Sequence, residues 1–316
     1  MRITAVVVAY DRRDLLVEAL DALSAQTRPL DEVVVIDNAS HDDSAAVAAA
    51  HPIGADVLTL ARNTGGAGGF AAGVAHAVAR GADLVWLMDD DTIPTPSALA
   101  ELLVARDAYP GPVALLGSRV VWHDGRDHPM NTPRRRPGAS AEQIARAREV
   151  GALPVRSSSF VSMLVDSRAI RHHGLPVADY FIWNDDFEYS ARLLRRGTGL
   201  HVPASVVEHR TKTFGATDAD PGARFYYEVR NKLWMLVWSR ALSPAERVLY
   251  LGASLRRWAR TFLRSSDRGT LRGAGARGLR DGLTSRPRSS ATVLTGLGSV
   301  SEDVAVVDGS ARGRTA

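Results

Sequence analysis

Three consecutive carboxylates, Asp89, Asp90 and Asp91, directly follow an apolar run at residues 85–88. The run indicates a strand that is buried on both faces, as in a parallel sheet. Adjacent carboxylates repel one another, and a divalent cation, which prefers oxygen ligands, offsets such repulsion. Ligands of open α/β sheets bind beyond the carboxyl ends of the strands, where these acids are expected. The triplet alone leaves open a solvated acidic turn that caps the next helix.

A second acidic cluster occupies residues 183–188, with the sequence Trp-Asn-Asp-Asp-Phe-Glu. Asp185 and Glu188 have the spacing of a capping box at a helix start. That interpretation leaves the Asp186 carboxylate free in the first turn, where it could act as a general base toward a bound substrate. His209 ends a later strand, and an imidazole beside carboxylates suits Mn²⁺ or a similar ion if the fold brings it to the aspartate triplet.

The glycine-rich residues 62–70 allow two further interpretations. Gly66-x-Gly68-x-x-Ala71 fits the dinucleotide-binding fingerprint, and a strand ending in acids follows about 20 residues later. That fingerprint normally follows the first strand, which here leads into residues 10–13 without a glycine. Close packing of a helix on the sheet would explain the glycines without a ligand. An NAD(P)-dependent oxidoreductase that uses residues 66–71 is therefore the alternative function.

Alternating strands and helices are predicted to position these motifs. Strands are expected at residues 3–9, 32–36, 56–60, 85–88, 113–121, 158–166 and 201–209. Helices are expected at 13–25, 97–109, 184–196, 224–240 and 245–264, with one more that begins at about residue 44 and another that ends at residue 80. This alternation predicts an α/β fold whose mostly parallel central sheet is flanked by helices. The strand ends near Asp37, Asn63 and the triplet should then share one edge. Residues 122–155 are predicted to form a long loop with a helix at 141–150, and such loops are usually functional or mobile.

Composition limits the classes of protein that the chain can represent. It has 316 residues, 45% of them hydrophobic, which is enough for one large domain or two small ones. Cysteine is absent, which excludes disulfides and thiolate metal sites. No stretch reaches the roughly 18 apolar residues of a membrane span. The N-terminus enters a strand directly, without a signal peptide, so we expect a cytoplasmic protein.

The C-terminal part of the sequence is strongly basic. Residues 240–288 contain twelve arginines and three acids, a local net charge of +9. Residues 241–265 are predicted to form a basic amphipathic helix that could lie on the inner face of the plasma membrane. Nucleic-acid binding and a merely solvated helix compete with this hypothesis, and we expect no nucleic-acid partner. Residues 266–316, rich in Gly and Arg, are expected to be poorly ordered.

Together the motifs resemble family 2 glycosyltransferases of the GT-A fold. The resemblance covers about residues 1–240, which we expect to form the catalytic domain, and it keeps the family's order. It rests on Val6-Val7-Val8-Ala9-Tyr10, Val35-Ile36-Asp37-Asn38-Ala39-Ser40, Asn63 with its glycines, Asp89-Asp90-Asp91 and Asp185-Asp186. Asp185-Asp186-x-Glu188-Tyr189, His209 and Tyr226-Tyr227-x-x-Arg230-Asn231 are similar to bacterial galactofuranosyltransferases of cell-wall synthesis. The modest chain size favours an initiating enzyme over a polymerase.

The resemblance implies an inverting, metal-dependent transfer from a nucleotide sugar, UDP-galactofuranose first and dTDP-rhamnose second. The acceptor would be a glycan or a polyprenyl-diphosphate-linked sugar. Asp186 would deprotonate the acceptor hydroxyl beside Asp185, and Trp183 would be either a wall of the acceptor site or an ordinary core aromatic. The implied donor-binding residues are Ala9, Tyr10, Asp37, Asn63, Gly66, Asp89 and Asp90, and the implied ligands of Mn²⁺ or Mg²⁺ are Asp89, Asp91 and His209.

Overall fold

The computed structural model describes residues 1–214 and 220–312. The strands, in chain order, are β1 Ile3–Ala9, β2 Glu32–Asp37, β3 Asp56–Thr59, β4 Leu84–Asp89, β5 Thr92–Pro94, β6 Leu115–Val121, β7 Arg134–Arg135, β8 Leu153–Ser157, β9 Met163–Asp166 and β10 Gly199–His209. The helices are α1 Arg13–Ser24, α2 Ser44–Ala50, α3 Gly65–Ala79, α4 Ala98–Ala108, α5 Ala141–Glu149, α6 Ser167–His173, α7 Asp185–Leu193, α8 Phe225–Val237, α9 Pro244–Arg264, α10 Arg268–Thr284, α11 Ser290–Val293 and α12 Ser299–Arg312. The predicted strands and helices up to residue 264 are present, with ends that differ by a few residues.

One sheet organises the molecule, in the strand order β3-β2-β1-β4-β9-β6-β10-β8-β7, with β5 paired to β10. Strands β1 to β4 run parallel, as do β6 and β10, while β9 lies antiparallel between β4 and β6. The prediction of a mostly parallel central sheet flanked by helices is therefore confirmed. Strands β5, β7 and β8 were not predicted; β7 lies within the segment that was expected to be a loop, and β8 begins in it.

Strand β1 shows why the sheet is covered on both faces. All seven of its residues are buried, and side chains of a strand alternate between the two faces. Val6 packs with Phe70 and Val74 of α3 on one face, whereas Val7 packs with residues of α1 on the other. The register places Ala9 opposite Asp37 and Val8 opposite Asp89, so these strands end at one edge as predicted.

The glycine-rich stretch lies mostly within helix α3, as the interpretation of close helix–sheet packing requires. Helix α3 begins at Gly65, and its Gly69 and Gly73 pack against β1. A Cβ atom on Gly69 would lie 2.6 Å from Val8 Cγ1, and one on Gly73 would lie 2.3 Å from Val6 Cγ1. Close helix–sheet packing therefore accounts for these two glycines, which weakens the dinucleotide interpretation.

The expectation that residues 266–316 are poorly ordered was wrong for the described part of that segment. Helix α10 packs on α8, and a Cβ atom on its Gly278 would lie 2.8 Å from the Tyr226 carbonyl oxygen. Helix α12 packs on α3 and contributes Val304 and Val307 to the main core. His76 joins the two helices, since its Nδ1 lies 2.8 Å from Asp303 Oδ2. Residues 313–316 lie outside the described residues.

Across the described ranges, no helix combines the length and the apolar character that crossing a lipid bilayer requires.

Candidate functional site

Two of the three aspartates at the end of β4 are tied to the loop that follows β1. The Tyr10 backbone N–H donates to Asp90 Oδ2 at 2.9 Å. Arg12 Nη1 lies 3.1 Å from Asp90 Oδ1 and also contacts Asp91. Arg12 thereby offsets part of the repulsion between the acids, a task that the sequence analysis gave to a cation alone. Asp90 consequently acts as a link between the two strand ends.

Asp89, Asp91 and His209 form the one group of potential metal ligands found among the described residues, with ligand atoms that all lie within 4.8 Å of one another. Asp91 Oδ1 is buried, and no hydrogen bond of good geometry reaches it from the described residues, although His209 Nε2 lies 3.2 Å away. His209 Nδ1 lies 2.8 Å from Asn131 Oδ1, which favours the proton on Nδ1. A neutral His209 would then direct its Nε2 lone pair at a carboxylate, a conflict that a shared cation removes. Two carboxylates and an imidazole suit Mn²⁺, so the residues fit the metal.

The electrostatics of this group follow from burial and mutual contact. Burial, together with the Asp91 charge, raises the pKa of Asp89 to about 6. Burial also works against the ionised form of Asp91, but His209 and Arg12 outweigh it and hold the pKa of Asp91 below its usual value. Burial lowers the pKa of His209, yet Asp91 and Asp89 outweigh that effect and raise it overall. The group therefore attracts a proton or a cation.

The acidic cluster at the start of α7 does not form the predicted capping box. Asn184 occupies the N-cap position in a left-handed conformation, without a side-chain cap. Glu188 instead binds Arg192, with Oε1 2.9 Å from Nε, and accepts from Ser239 Oγ at 2.6 Å. Asp185 is thus the first helical residue, and capping does not explain its carboxylate.

Asp185 and Asp186 are both shifted toward their neutral forms. Burial, reinforced by the charge of Asp186, raises the pKa of Asp185 well above its usual value. Burial also raises the pKa of Asp186, although the Phe187 N–H, which donates to Asp186 Oδ1 at 2.6 Å, and then Arg134 and Lys232 oppose it. Two neighbouring carboxyl groups in such surroundings separate into one that stays protonated and one that ionises.

The loop before α7 is held in an unusual backbone conformation. Phe181, Trp183 and Asn184 have φ values of 64°, 67° and 64°. Non-glycine residues rarely adopt this region, and such strain persists where surrounding contacts impose it. Asn231 of α8 provides those contacts, since its Nδ2 donates to the carbonyl oxygens of Tyr180, Ile182 and Trp183, each at 2.8 Å. The motif that contains Arg230 and Asn231 therefore fixes the backbone of the loop before α7.

A cavity of about 920 Å³ brings most of the predicted site residues together. Its lining includes Gly66, Asp89, Asp91, Trp183, Asp185, Asp186 and His209. Trp183 is half-buried on this wall and does not belong to the core. Gly66 leaves its would-be Cβ position open, with no atom within 4 Å.

Five predicted donor-binding residues do not line this cavity, namely Ala9, Tyr10, Asp37, Asn63 and Asp90. They lie near the cavity, at the strand ends and in the loops of the same sheet edge. Asp37 is buried, and its Oδ1 accepts from the Ser40 N–H at 3.2 Å. Asn63 Oδ1 accepts from the Gly65 N–H at 2.7 Å, where α3 begins.

Several residues of the cavity wall and its surroundings were not predicted from the sequence. Arg12, Arg134 and Ser159 line the cavity, while Asn131 holds His209 and Lys232 lies near Asp186. The one available signal was the length of the segment at residues 122–155, which contains Asn131 and Arg134. Arg12 directly follows the first strand, but nothing in the local pattern indicates that it reaches the triplet.

Comparisons with known proteins agree on the family. A model described as glycosyl transferase family 2 matches residues 4–167. Galactofuranosyltransferase GlfT1 of Mycobacterium tuberculosis is 35% identical over 252 residues, which cover 73% of this chain and 81% of the relative. GlfT1 of Mycolicibacterium smegmatis is 32% identical over 201 residues, covering 62% and 66%.

Solved structures show the same fold at much lower identity. Staphylococcus aureus TarS residues 1–349 in complex with UDP has a TM-score of 0.63 at 14% identity, over 99% of this chain and 92% of that one. The mannosyltransferase PcManGT from Pyrobaculum calidifontis, in complex with GDP-Man and Mn²⁺, has a TM-score of 0.55 at 17% identity, over 99% and 87%. These matches establish the GT-A fold, and with the family match they replace the oxidoreductase alternative. The chain belongs to glycosyltransferase family 2.

Proposed function

We propose that this enzyme transfers galactofuranose from UDP-galactofuranose to a polyprenyl-diphosphate-linked or free glycan acceptor, with inversion at the anomeric carbon and dependence on a divalent cation. The observation that carries the proposal is the single cavity that contains both the Asp89–Asp91–His209 group and the Asp185–Asp186 pair. A transferase of this kind needs a cation at the donor diphosphate and a base at the acceptor hydroxyl, and one cavity offers residues for both.

The donor assignment is supported by relatives and by the edge of the sheet. Both GlfT1 relatives are named as galactofuranosyltransferases, and the TarS neighbour is in complex with UDP. The strand ends near Ala9, Tyr10, Asp37 and Asn63 would hold the nucleotide, and Gly66 leaves room beneath the sugar. dTDP-rhamnose remains the second candidate donor.

Asp89, Asp91 and His209 would hold Mn²⁺ or Mg²⁺, which neutralises the negative charge that develops on the departing diphosphate. Asn131 would orient His209 by accepting a hydrogen bond from its Nδ1–H. Arg12 would contribute a fixed positive charge at the same cavity wall, because its guanidinium pairs with Asp90 and Asp91.

Asp186 would act as the general base toward the acceptor. It accepts the hydroxyl proton while the acceptor oxygen forms the new bond to the anomeric carbon, and the bond to the diphosphate breaks with its electron pair on the leaving group. Burial raises the pKa of Asp185 well above its usual value, which favours Asp186 as the member of the pair that ionises. Trp183 would form the wall against which the acceptor sugar packs.

The test is transfer from each donor in turn to synthetic prenyl-diphosphate and neutral glycan acceptors, with and without Mn²⁺. We expect product and free UDP from UDP-galactofuranose in the presence of Mn²⁺, and NMR should show the inverted anomer. Preferential use of dTDP-rhamnose would overturn the donor assignment, and full activity in EDTA would overturn the metal assignment. Retention of configuration would overturn the role of Asp186.

A further inference from the structure

A second cavity of about 470 Å³ opens beside the catalytic cavity, between α9 and the segment at residues 129–134. The two cavities share lining residues, among them Thr132, Arg134 and Arg257. A ligand in the second cavity can therefore extend into the first without leaving the protein. Neither the family match nor the relatives assign a role to this place.

The second cavity is dominated by arginine. Arg256, Arg257, Arg260 and Arg264 of α9 line it together with Arg134. Successive arginines of this set in α9 are one, three and four residues apart, which places all four on one face of the helix. Asp220 is the one acid in the lining, and it already accepts from Ser265 Oγ at 2.5 Å and from the Ser266 N–H at 3.1 Å.

The four α9 arginines lack partners within the described part of the chain. No hydrogen bond, ion pair or ring contact involves their guanidinium groups there, whereas Arg134 stacks on the Phe187 ring at 4.3 Å. Like charges at a spacing of four residues destabilise a helix, so the arrangement has a cost in the free protein. A bound anion would remove that cost, and guanidinium groups match the oxygens of a phosphate in paired hydrogen bonds.

The surface around this cavity is apolar as well as basic. Leu255 is 54% exposed and Leu263 is 68% exposed, and both are adjacent in sequence to cavity arginines. A long arginine-lined helix with exposed leucines suits an amphiphile that carries a phosphate group on an apolar chain. It suits a small free anion less well, because such an anion would not cover the leucines.

We propose that the arginine-lined cavity binds the phosphate or diphosphate of a lipid-linked acceptor and so places the acceptor glycan in the catalytic cavity. The inference rests on the proposed function for the identity of the glycan-bearing molecule. The arginines hold the anionic end, the exposed leucines contact the start of the apolar chain, and the sugar end points through the shared wall toward Asp186.

The test measures binding and needs no turnover. Isothermal titration calorimetry in EDTA, with excess UDP, compares farnesyl diphosphate with farnesol on the full chain. We expect farnesyl diphosphate to bind and farnesol not to bind measurably. In Arg256→Gln/Arg260→Gln, the loss of two charge-assisted contacts should raise the Kd for farnesyl diphosphate at least about tenfold. Arg272→Gln/Arg277→Gln, with the same charge change at exposed positions of α10, should bind as the parent does.

Each other outcome overturns the assignment. An unchanged Kd in the α9 variant, or an equal loss in the α10 control, would show that these arginines do not form a specific site. Equal affinity for inorganic diphosphate would identify a free anion as the ligand, and competition by phosphatidylglycerol vesicles would identify a membrane headgroup. The outcome is separable from the donor test, because a protein can bind farnesyl diphosphate and still fail to use any UDP-sugar.

Discussion

The carboxamide nitrogen of Asn231 lies 2.8 Å from the carbonyl oxygen of Trp183, although 48 residues separate them in the chain. The same nitrogen reaches the carbonyl oxygens of Tyr180 and Ile182. This fully buried side chain thus holds the loop whose backbone leads into Asp185. A residue of α8 therefore determines where the acids of α7 stand.

Asn231→Ala is expected to loosen this loop. Buried carbonyl groups left without donors cost about 1–3 kcal/mol, so the free energy of unfolding should fall by about that amount. Activity should fall more than stability explains, because misplacing the base affects the reaction directly. Urea unfolding and steady-state kinetics measure the two effects. Gln143→Ala, which removes a capping contact of α5 away from the cavity, serves as the control and should leave kcat unchanged.

Asn131→Leu is expected to weaken metal binding without removing a ligand. Loss of a side chain that orients a ligating histidine typically lowers metal affinity about 10–100-fold. Activity of the variant should therefore recover at high Mn²⁺ concentration, whereas Asp91→Asn should not recover. Mn²⁺ titration followed by electron paramagnetic resonance gives the affinities. If Asn131→Leu binds Mn²⁺ as tightly as the parent, His209 is not held in the way the structure indicates.

Asp186→Asn and Asp185→Asn are expected to differ sharply. A general base contributes about 10²–10⁴-fold in rate, so Asp186→Asn should lose that much kcat while it still folds and binds the donor. Burial raises the pKa of Asp185 well above its usual value and so favours its neutral form, which Asn resembles, and Asp185→Asn should therefore lose much less. Single-turnover kinetics at saturating acceptor decide the matter. A larger loss in Asp185→Asn would exchange the two roles.

Removal of the chain after Arg288 is expected to destabilise the fold, contrary to what composition suggests for this segment. The truncation removes five buried apolar residues, Leu294, Leu297, Val300, Val304 and Val307. At about 1.5–3 kcal/mol each, their loss is comparable to a typical domain stability of about 5–15 kcal/mol.

A matched pair of point variants tests the same contact without a truncation. Val304 is fully buried and Val306 is 63% exposed on the same helix. Val304→Ala should therefore lower the free energy of unfolding by about 2 kcal/mol, and Val306→Ala should change it little. Equal melting temperatures for the two variants would mean that α12 does not cover α3 in solution.

Lys232 is expected to make stability depend on pH. Burial lowers its pKa from 10.5 to about 8 in the folded protein, so between these values the unfolded chain binds more protons and stability rises with pH. Integrated from pH 7.5 to 10, this group contributes about 2 kcal/mol in favour of folding. Between pH 7.5 and pH 10, the unfolding free energy of the parent should therefore rise by that amount relative to that of Lys232→Met. An unchanged difference would place the Lys232 ammonium in water.

The strand ends could be predicted from sequence because local information determines them. The apolar runs before Asp37 and Asp89 have the length of buried strands, and parallel pairing then brings their ends to one edge. The capping box at Asp185 failed for the opposite reason. Tertiary contacts from α8 and from Ser239 redirect the loop and Glu188, and no local pattern contains them.

Helices α10 and α12 were not predicted, because their glycines and short apolar residues give these segments the composition of a disordered tail. Gly in a helix interior costs about 1 kcal/mol relative to Ala, which argues against a helix when the segment is considered alone. In the fold, Gly278 and Gly282 allow α10 to approach α8 closely, and a Cβ atom on Gly282 would lie 2.8 Å from Leu233 Cβ. Packing outweighs the intrinsic preference, and the sequence alone does not reveal the partner helix.

The contact between His76 and Asp303 also has a consequence for biosynthesis. The two residues are 227 positions apart, so the ribosome completes β1 to β4 and α3 long before α12 exists. At synthesis rates of about 5–20 residues per second, the interval is roughly 10–45 s. Throughout that time the nascent chain exposes the face of α3 that α12 covers in the folded enzyme. Chaperones and neighbouring polypeptides have access to this surface until α12 has been synthesised.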